Sequence, residues 1–259
     1  MSEIITTAVS AAQQAGVYLL HNFGKIKEVI SKGDRDLVTN VDRQAQAMII
    51  DAVKKKFPGH GIIAEEGLIQ DAGAEYIWII DPLDGTHNYI RGVPIYGVSI
   101  GVVHKDRFVA GVIYMPFDDE LYVAETGNGA YKNGVLMKVS ARQDIKECSI
   151  SYDSNIRYNS GMLLPILGDV AARSFNVRMF GSSVRSLSYV AEGKLDAAIE
   201  FEDKPWDFAA GICLIEQAGG MVTDLAGGRM THTTIGYIAA NTAVHKPVLD
   251  IVRKHIASV

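Results

Sequence analysis

The stretch WIIDPLDGTHNY, residues 78–89, places two aspartates directly after an apolar run. The run before Asp81 indicates a buried strand, and the dipeptide that Asp84 forms with Gly85 is typical of a tight turn. Gly85 and Thr86 are also typical of the start of a short helix, whose free N–H groups bind phosphate well. A phosphate would be repelled by two carboxylates unless they held a hard cation such as Mg²⁺. The stretch therefore predicts either an ordinary turn or a metal-assisted phosphate site.

The composition limits the kinds of protein that this chain can be. Of its 259 residues 48% are hydrophobic, enough to bury a sizeable core. A net charge of −5 and the lack of a long Lys/Arg block argue against binding to nucleic acid or to an anionic membrane. Cys148 and Cys213 have no partner pattern, so neither a disulfide framework nor a thiolate zinc site is predicted. Without a signal-peptide pattern or an apolar run of about 20 residues, we expect a cytoplasmic protein outside the membrane.

The first half of the sequence changes its hydrophobic period once. Apolar residues recur at helical spacing from Ile4 to Phe23 and from Val41 to Phe57, which predicts two amphipathic helices. The charged segment Lys32–Asp36 between them is expected to be an exposed loop. Five strands are then expected, at 62–64, 76–80, 98–103, 108–114 and 121–125. Their order and short turns predict a mostly antiparallel sheet.

The second half mixes strands and helices. Strands are expected at 148–152, 197–201 and 221–223, and helices at 182–192, 208–218 and 247–256. This order predicts a mixed α and β fold in which helices are layered over two sheets. The sequence contains no repeat and no linker-like stretch. We therefore expect one domain over residues 1–259, with two halves, about 1–140 and 146–259, that share the active site.

Two further acidic segments bear on the choice between a turn and a metal site. In AEEG, Glu65 and Glu66 follow an apolar strand, where a solvated charge pair is the ordinary interpretation. In PWDFAAG, Asp207 lies between Trp206 and Phe208 at the start of a helix, where it could be a simple N-cap. A carboxylate between two aromatic residues is expected to be partly buried, and a buried charge needs a partner. The sequence therefore predicts that Asp207 has such a partner.

Four segments of the sequence resemble a known family when they are taken together. They are DLVTNVD (36–42), AEEG (64–67), DPLDGTHNY (81–89) and PWDFAAGICLIEQAGG (205–220). In this order and spacing they resemble the inositol monophosphatase family of magnesium-dependent, lithium-sensitive phosphatases, over nearly the whole chain. The resemblance implies a layered αβαβα sandwich of the inositol monophosphatase and fructose-1,6-bisphosphatase type. No P-loop, GxGxxG, GxSxG or HExxH motif indicates a competing chemistry.

The resemblance implies a site for two Mg²⁺ ions that share one carboxylate. Glu65, Asp81 and the carbonyl of Leu83 would bind the first ion. Asp81, Asp84 and Asp207 would bind the second, so that Asp81 bridges the pair. Carboxylates that converge without cations raise one another's pKa, and a need for metal therefore follows from charge alone.

The balance of charge suggests a further ion. Four carboxylates and a phosphate dianion carry more negative charge than two Mg²⁺ ions neutralise. A third, weakly held ion is therefore expected near Glu65 and the Lys32–Asp36 loop. Li⁺ is close to Mg²⁺ in size but has half its charge, so we expect it to inhibit by occupying a site without supporting catalysis.

The resemblance also implies direct, in-line attack of a metal-activated water on phosphorus, without a phosphoenzyme. Asp84 and the backbone N–H groups of Gly85 and Thr86 would lie at the phosphate. The Thr86 hydroxyl, linked in the family to the position that matches Asp42, would orient the water together with Glu65. A carboxylate at Asp42 would also complement the dipole of the helix that begins there, and both roles remain open.

The alcohol of the substrate is expected to lie against the second half of the chain. Glu200, seven residues before Asp207, matches the family's carboxylate that accepts hydrogen bonds from sugar or inositol hydroxyls. The alternative interpretation of Glu200 is an ordinary surface residue of a strand. Gly181, Ser182 and Ser183 match the family's turn on the substrate side.

Arg185 decides between two classes of substrate. Ser183 and Arg185 depart from the family pattern, in which an alanine and an aliphatic residue are usual at these positions. If Arg185 faces the site, it could bind a second phosphate bidentately, which favours fructose 1,6-bisphosphate or a 3′-phosphoadenosine nucleotide. If it is only an exposed helix residue, that argument is lost.

The expected function is hydrolysis of a myo-inositol monophosphate or a related sugar phosphate by a homodimer. A bisphosphatase or a nucleotide phosphatase is the first alternative. Some bacterial members of the family also bind the transcription machinery, so the second alternative is an interaction protein with residual phosphatase activity. The presence of every expected residue of the metal and phosphate site favours an active enzyme: Glu65, Asp81, Asp84, Thr86 and Asp207.

Overall fold

The computed structural model of the chain describes residues 1–25, 29–31, 37–71 and 73–256. Within these ranges the elements stack as helices, sheet, helices, sheet and helices, which confirms the expected αβαβα sandwich. The expected loop at Lys32–Asp36 lies outside the described residues. None of the helices in these ranges is long and apolar enough to cross a membrane.

The first layer contains helices α1 (Glu3–Asn22) and α2 (Asn40–Lys56), as their helical periodicity predicts. Strands β1 (Val29–Ser31) and β2 (Leu37–Thr39) pair antiparallel before α2. The apolar faces of both helices pack against the first sheet around Leu19, Ile49 and Trp78, which are fully buried. This packing anchors the start of α2, which carries Asp42, to the layer beneath it.

The first sheet has eight strands in the order β10-β9-β8-β7-β6-β5-β3-β4. Its elements are β3 (Gly61–Ala64), β4 (Leu68–Gln70), β5 (Tyr76–Asp84), the short helix α3 (Thr86–Ile90), β6 (Gly97–His104), β7 (Arg107–Met115), β8 (Glu120–Glu125), β9 (Gly129–Lys132) and β10 (Val135–Leu136). All pairs are antiparallel except β3 with β5, which confirms the mostly antiparallel arrangement. The sequence did not predict β4, β9 and β10, because two to four residues are too few to show an alternating pattern.

The remaining chain forms the second sheet, in the order β12-β11-β13-β15-β14, and the helices on its two faces. Its elements are β11 (Ser149–Tyr152), α4 (Ser160–Arg173), β12 (Asn176–Arg178), α5 (Ser183–Ala191), β13 (Ala197–Glu200), α6 (Pro205–Gln217), β14 (Gly220–Thr223), β15 (Tyr237–Asn241) and α7 (Thr242–Ile256). Helices α5 and α6 fill the space between the two sheets, whereas α4 and α7 cover the outer face of the second sheet. This middle layer places the start of α6 beside the end of β5.

Helix α4 was not predicted from the sequence. Leu163, Ile166 and Val170 are buried at helical spacing, but Pro165 and Gly168 interrupt the helical pattern of the sequence. Two other helices begin earlier than predicted, α6 at Pro205 and α7 at Thr242. Pro247, expected to begin the last helix, therefore lies inside α7, where tertiary packing outweighs its unfavourable helix propensity.

Helix α6 lies directly on the backbone of the first sheet. A Cβ atom added to Gly111 of β7 would lie 2.2 Å from the carbonyl oxygen of Ala210, and one added to Gly101 of β6 would lie 2.5 Å from the Cβ of Ala209. Only glycine leaves room for this approach, because no flexible side chain separates helix and sheet. The contact fixes the height of α6 above β5.

We predict that Gly111→Ala destabilises the fold by about 3 kcal/mol, because the new methyl group meets helix backbone that cannot turn away. Gly168→Ala is the matched control, since a Cβ at this helical position has no neighbour within 4 Å. The control should stabilise the protein by about 0.5–1 kcal/mol, the difference in helix propensity. Urea denaturation of the three proteins measures both effects. Similar stabilities for the two variants would contradict the close contact between α6 and β7.

Candidate active site

Asp81 and Asp84 point to the same side of the first sheet because β5 contains a bulge between them. Residues three apart on a regular strand point to opposite faces. Here Asp81 pairs with Ser99 and Asp84 with Gly97, so three steps on β5 match two steps on β6. Both carboxylates therefore lie on the face covered by α6, and both are buried. The interpretation of the Asp84-Gly85 dipeptide as an ordinary turn alone does not describe this geometry.

Asp207 reaches the same point from the start of α6. It is the third residue of that helix, and its Oδ2 accepts a hydrogen bond of 2.6 Å from the backbone N–H of Lys204. One carboxylate oxygen from each of Asp81, Asp84 and Asp207 lies within 4.8 Å of the other two. The interpretation of Asp207 as the N-cap is therefore wrong, since Lys204 is the N-cap and Asp207 bonds back to it from inside the first turn, and Asp207 also joins an acidic cluster.

Glu65 extends this cluster along the sheet. It follows β3, the parallel neighbour of β5, and its backbone N–H donates to the carbonyl of Ile80 at 3.1 Å. Its carboxyl group hydrogen-bonds with that of Asp81. Glu66 is held elsewhere, since its N–H donates to the side chain of Gln46 at 2.9 Å. The structure therefore brings the Glu65 carboxyl group to the cluster, whereas the backbone N–H of Glu66 binds Gln46.

The pKa values of the three aspartates are all raised in this cluster. Burial raises the pKa of Asp81 well above its usual range, and Glu65, Asp84 and Asp207 raise it further. Burial also raises the pKa of Asp84 to about 6, although hydrogen bonds from Ser182 and the backbone oppose the shift. The pKa of Asp207 is raised first by burial and then by Asp203 and Glu65. A set of buried oxygen ligands that repel one another is the environment that a hard divalent cation stabilises.

Thr86 connects this cluster to the start of α2. Its hydroxyl lies 3.0 Å from the carbonyl oxygen of Leu83 and 3.3 Å from Oδ1 of Asp42. The other oxygen of Asp42 accepts hydrogen bonds from the backbone N–H of Thr39, at 3.0 Å, and from its hydroxyl. The bond from the Thr39 N–H, together with one from the Asp42 N–H to the Thr39 hydroxyl oxygen, forms the capping box of α2. Asp42 therefore serves the helix terminus and contacts Thr86 as well. Its action on a water molecule remains a prediction.

The turn before α5 binds the first half of the site directly. The Ser182 hydroxyl donates to Oδ1 of Asp84, and the Ser183 N–H donates to Oδ2 of Asp84 at 3.0 Å. Gly181 has φ of +63°, a conformation that favours glycine, and its carbonyl accepts from Asn88 at 3.1 Å. Asp84 is therefore one of the points at which the two halves of the chain meet.

Glu200 ends β13 inside this site. Only 7% of its surface is exposed, which excludes the alternative of an ordinary surface residue. Burial raises its pKa well above the usual range, and the nearby carboxylates of Asp203 and Asp153 add to the shift. Its contact with substrate hydroxyls stays a prediction.

Two residues close to the site were missed by the sequence analysis. Asp203 is partly buried and accepts a hydrogen bond of 2.5 Å from the Ser183 hydroxyl. Burial, with Asp153 and Asp84, raises the pKa of Asp203 to about 8. Tyr237 of β15 is fully buried beside the same acidic groups. No periodic pattern or motif identifies either residue, because Tyr237 reaches the site through the pairing of β15 with β13, and Asp203 is marked only by its contact with Ser183.

Arg185 is neither exposed nor free to bind a ligand. It is 2% exposed, so the interpretation as an exposed helix residue is wrong. Its guanidinium donates to Asp118 at 2.5 Å and to Glu120 at 2.6 Å, and it lies over the ring of Tyr189. Although burial opposes the shift, hydrogen bonds from Lys132 and Arg185 lower the pKa of Glu120 to about 2. The guanidinium is thus engaged by protein carboxylates on the side of β8, which removes the support for a second phosphate there.

Comparisons with known proteins agree with this arrangement. The inositol monophosphatase family matches residues 1–257. The chain is 37% identical to the fructose-1,6-bisphosphatase/inositol-1-monophosphatase of Aquifex aeolicus over 260 residues, which cover 99% of this chain and 97% of that protein. It is 36% identical to the Nus factor SuhB of Escherichia coli K12, with 99% and 98% covered.

A solved structure shows the same fold. The extragenic suppressor protein SuhB of Bartonella henselae superimposes with a TM-score of 0.94 at 35% identity, over 98% of this chain and 99% of that one. The sequence and structure comparisons each cover nearly the whole chain. They confirm the family resemblance of the four segments. The chain belongs to the inositol monophosphatase family and is a phosphoric monoester hydrolase.

Proposed function

We propose that the chain hydrolyses the phosphate monoester of a polyol or sugar, such as a myo-inositol monophosphate, in a Mg²⁺-dependent reaction. The observation that carries the proposal is the convergence of Asp81, Asp84 and Asp207, whose carboxylate oxygens lie within 4.8 Å of one another. Mg²⁺ prefers carboxylate oxygens as protein ligands, and one ion readily binds protein carboxylates and a substrate phosphate at the same time. The turn before α5 and the Glu200 carboxyl add a polar wall on the side where an alcohol would lie.

The residues present fit the expected metal set. Glu65, Asp81 and the Leu83 carbonyl would hold one ion, and Asp81, Asp84 and Asp207 a second. Bound Mg²⁺ would lower the pKa of a water molecule, and its positive charge would stabilise the leaving oxygen. A third ion near Glu65 is also proposed; the Lys32–Asp36 part of that expected site lies outside the described residues.

Thr86 and Asp42 would position the attacking water. The Thr86 hydroxyl has one proton and two acceptors, the Leu83 carbonyl and Asp42. If the Leu83 carbonyl serves as a ligand, the proton is donated to Asp42, and the lone pairs of the Thr86 oxygen can accept a proton of the water. Glu65 would accept the other proton.

Gly85 would let the phosphate approach the backbone closely. It has φ of +83°, and a Cβ there would lie 2.7 Å from the carbonyl oxygen of Ile95. Glycine is therefore required, and the N–H groups of Gly85 and Thr86 become the proposed phosphate donors. Gly181, Ser182 and Ser183 complete the proposed substrate contacts, with Ser182 and Ser183 also holding Asp84 in place.

Other functions and properties expected from the sequence remain proposals. The name of the Aquifex relative favours fructose 1,6-bisphosphate as a second candidate substrate, and a 3′-phosphoadenosine nucleotide is a third. The Escherichia coli relative is called a Nus factor, which keeps a second role in transcription open.

We also propose a cytoplasmic homodimer in which each chain is one catalytic domain. The contact of Asp84 with Ser182 across the two halves supports this single domain.

A phosphate-release assay with Mg²⁺ tests the proposed function. The substrates are inositol monophosphates, fructose 1,6-bisphosphate, 3′-phosphoadenosine 5′-phosphate and histidinol phosphate. We expect the highest kcat/KM with an inositol or sugar monophosphate. A preference for either bisphosphate would contradict the proposed substrate class, and inactivity with all of them would contradict the proposed function.

We predict that Asp81→Asn abolishes turnover but stabilises the metal-free protein. Asparagine keeps an acceptor for the Leu83 N–H, which bonds Asp81 at 2.9 Å, and removes the charge that its neighbours repel. In EDTA the melting temperature should rise by a few degrees, roughly 2–4 °C for each kcal/mol relieved. Addition of Mg²⁺ should stabilise the wild type and have little effect on the variant.

Asp51→Asn, at an exposed position of α2, is the matched control for loss of one carboxylate. It should keep wild-type turnover and the full stabilisation by Mg²⁺. A wild-type kcat in Asp81→Asn would contradict the proposal that Asp81 bridges two ions. So would a melting temperature that Mg²⁺ raises as much in the variant as in the wild type.

Lithium provides an independent measurement of the metal site. We predict inhibition of phosphate release by millimolar Li⁺, because the ion fits an oxygen site for Mg²⁺ without matching its charge. Initial rates should be measured at limiting and at saturating Mg²⁺, with K⁺ at equal ionic strength as the control. Rates that respond to Li⁺ and K⁺ alike would count against this expectation.

Glu200 and Arg185 should differ in what they contribute. Glu200→Gln should lower the apparent affinity for a polyol phosphate by about 1.5–3 kcal/mol, the range for hydrogen bonds to charged groups. Arg185→Ala should instead destabilise the fold by about 1.5–3 kcal/mol, because it removes a buried guanidinium from its ion pairs with the partly exposed Asp118 and Glu120. It should leave the ratio of kcat/KM for monophosphate and bisphosphate unchanged. Arg178→Ala, at an exposed position, controls for loss of positive charge. A selective loss of bisphosphate hydrolysis in Arg185→Ala would restore the second-phosphate hypothesis.

A further inference from the structure

The hydroxyl group of Tyr237 is buried without a hydrogen-bond partner among the residues that the structure describes. The residue is fully buried, yet the hydroxyl of a buried tyrosine nearly always finds a donor or acceptor. An unpaired hydroxyl of this kind costs free energy in the free protein. A ligand that supplied the missing partner would recover that cost.

The pairing of strands places this hydroxyl in the candidate active site. Tyr237 lies directly opposite Glu200 in the antiparallel pair of β15 and β13, so both side chains emerge on the same face of the second sheet. The ring of Tyr237 packs edge-on against Phe208, which follows Asp207 in α6, with ring centroids 5.9 Å apart. Burial raises the pKa of Tyr237, and Asp203, Glu200, Asp84 and Asp207 raise it further, in keeping with a hydroxyl that faces these carboxyl groups.

The groups around this hydroxyl have an excess of hydrogen-bond acceptors. No described residue donates a hydrogen bond to the Glu200 carboxyl group. Asp203 receives one from the Ser183 hydroxyl, at 2.5 Å, and the Ser183 N–H is already committed to Asp84. A bound molecule therefore meets carboxyl oxygens together with the unpaired Tyr237 hydroxyl, which can both donate and accept.

We propose that Tyr237 and Asp203 join Glu200 in a subsite that binds a hydroxyl-bearing, uncharged leaving alcohol and disfavours a substrate with a second phosphate. The inference rests on the proposed function and names its substrate class. A hydroxyl group on the alcohol can donate to a carboxyl oxygen and accept from Tyr237 at the same time. An ammonium group would leave the Tyr237 proton without an acceptor. A second phosphate would bring negative charge and no donor into an acidic environment.

Tyr237→Phe and Asp203→Asn test this subsite. The first removes only the hydroxyl and keeps the ring against Phe208, and the second replaces an acidic group with a neutral amide of the same shape. Glu202→Gln is the matched control, because Glu202 is the exposed neighbour of Asp203. Each protein is assayed with Mg²⁺ on myo-inositol 1-phosphate, fructose 1,6-bisphosphate and p-nitrophenyl phosphate, whose leaving group carries no hydroxyl beyond the ester oxygen.

For Tyr237→Phe we expect kcat/KM on myo-inositol 1-phosphate to fall about three- to tenfold, chiefly through KM, the effect of one neutral hydrogen bond. Its kcat/KM on p-nitrophenyl phosphate should stay at the wild-type value. For Asp203→Asn, assayed at a pH above the pKa of about 8 that Asp203 has, the ratio of kcat/KM for fructose 1,6-bisphosphate over myo-inositol 1-phosphate should rise about tenfold, the effect of removing one close like charge. Glu202→Gln should leave every ratio unchanged.

The outcomes separate the subsite from the proposed function. If the wild type hydrolyses p-nitrophenyl phosphate but Tyr237→Phe loses equally on every substrate, or not at all, the subsite is refuted and the phosphatase proposal survives. An unchanged ratio in Asp203→Asn refutes the role of Asp203. A wild type that is inactive on all three substrates refutes the proposed function, and the subsite with it.

Thermal unfolding gives a readout that does not depend on activity. Removal of an unpaired buried hydroxyl should leave the melting temperature of Tyr237→Phe unchanged or higher, whereas loss of a satisfied hydrogen bond would lower it. In the wild type, free myo-inositol with phosphate and Mg²⁺ should raise the melting temperature by more than phosphate and Mg²⁺ alone. That additional shift should disappear in Tyr237→Phe. A lower melting temperature of the ligand-free variant, or an additional shift that persists, would overturn the proposal.

Discussion

Mutual repulsion among buried carboxylates is the constraint on which this structure depends. Asp81, Asp84 and Asp207 are held with oxygens within 4.8 Å of one another, and the burial of Asp81 and Asp84 limits the screening of these charges by water. Such a cluster would separate if its members were free to move. The protein prevents this by placing each carboxylate on a regular element and by packing those elements together through fully buried apolar layers. The cohesion of the core therefore opposes a repulsion that bound cations would relieve.

The three aspartates are oriented by local geometry that differs from one to the next. A bulge in β5 brings Asp81 and Asp84 to one face, whereas the first turn of α6 orients Asp207 through the N–H of Lys204. Ser182 then ties Asp84 to the second half of the chain. Because each of these contacts also completes the hydrogen bonding of a strand or helix end, the same groups serve folding and the proposed chemistry.

Patterns local in sequence predicted most of the fold and part of the site. Helices α1 and α2 follow from a period near 3.6 and β5 to β8 from apolar runs, whereas α4 was hidden by Pro165 and Gly168. The acidic cluster could be predicted because its members lie in recognisable segments. The environments of Arg185 and Tyr237 could not, because each is determined by residues that are distant in the sequence. Arg185 meets Glu120 across 65 positions, and Tyr237 meets Glu200 only through strand pairing.

The contact of α6 with Gly101 and Gly111 has a consequence for the choice between cations. Backbone rests on backbone at this point, so no side chain can change its rotamer to let the helix rise from the sheet. The separation between Asp207 on the helix and Asp81 on the sheet is then set by hard contacts. Ca²⁺ requires oxygen distances of about 2.3–2.6 Å and more ligands, whereas Mg²⁺ requires about 2.0–2.1 Å in octahedral geometry. A cage that cannot widen discriminates by ionic radius, and two glycines that supply no ligand atom would therefore help to exclude the larger ion.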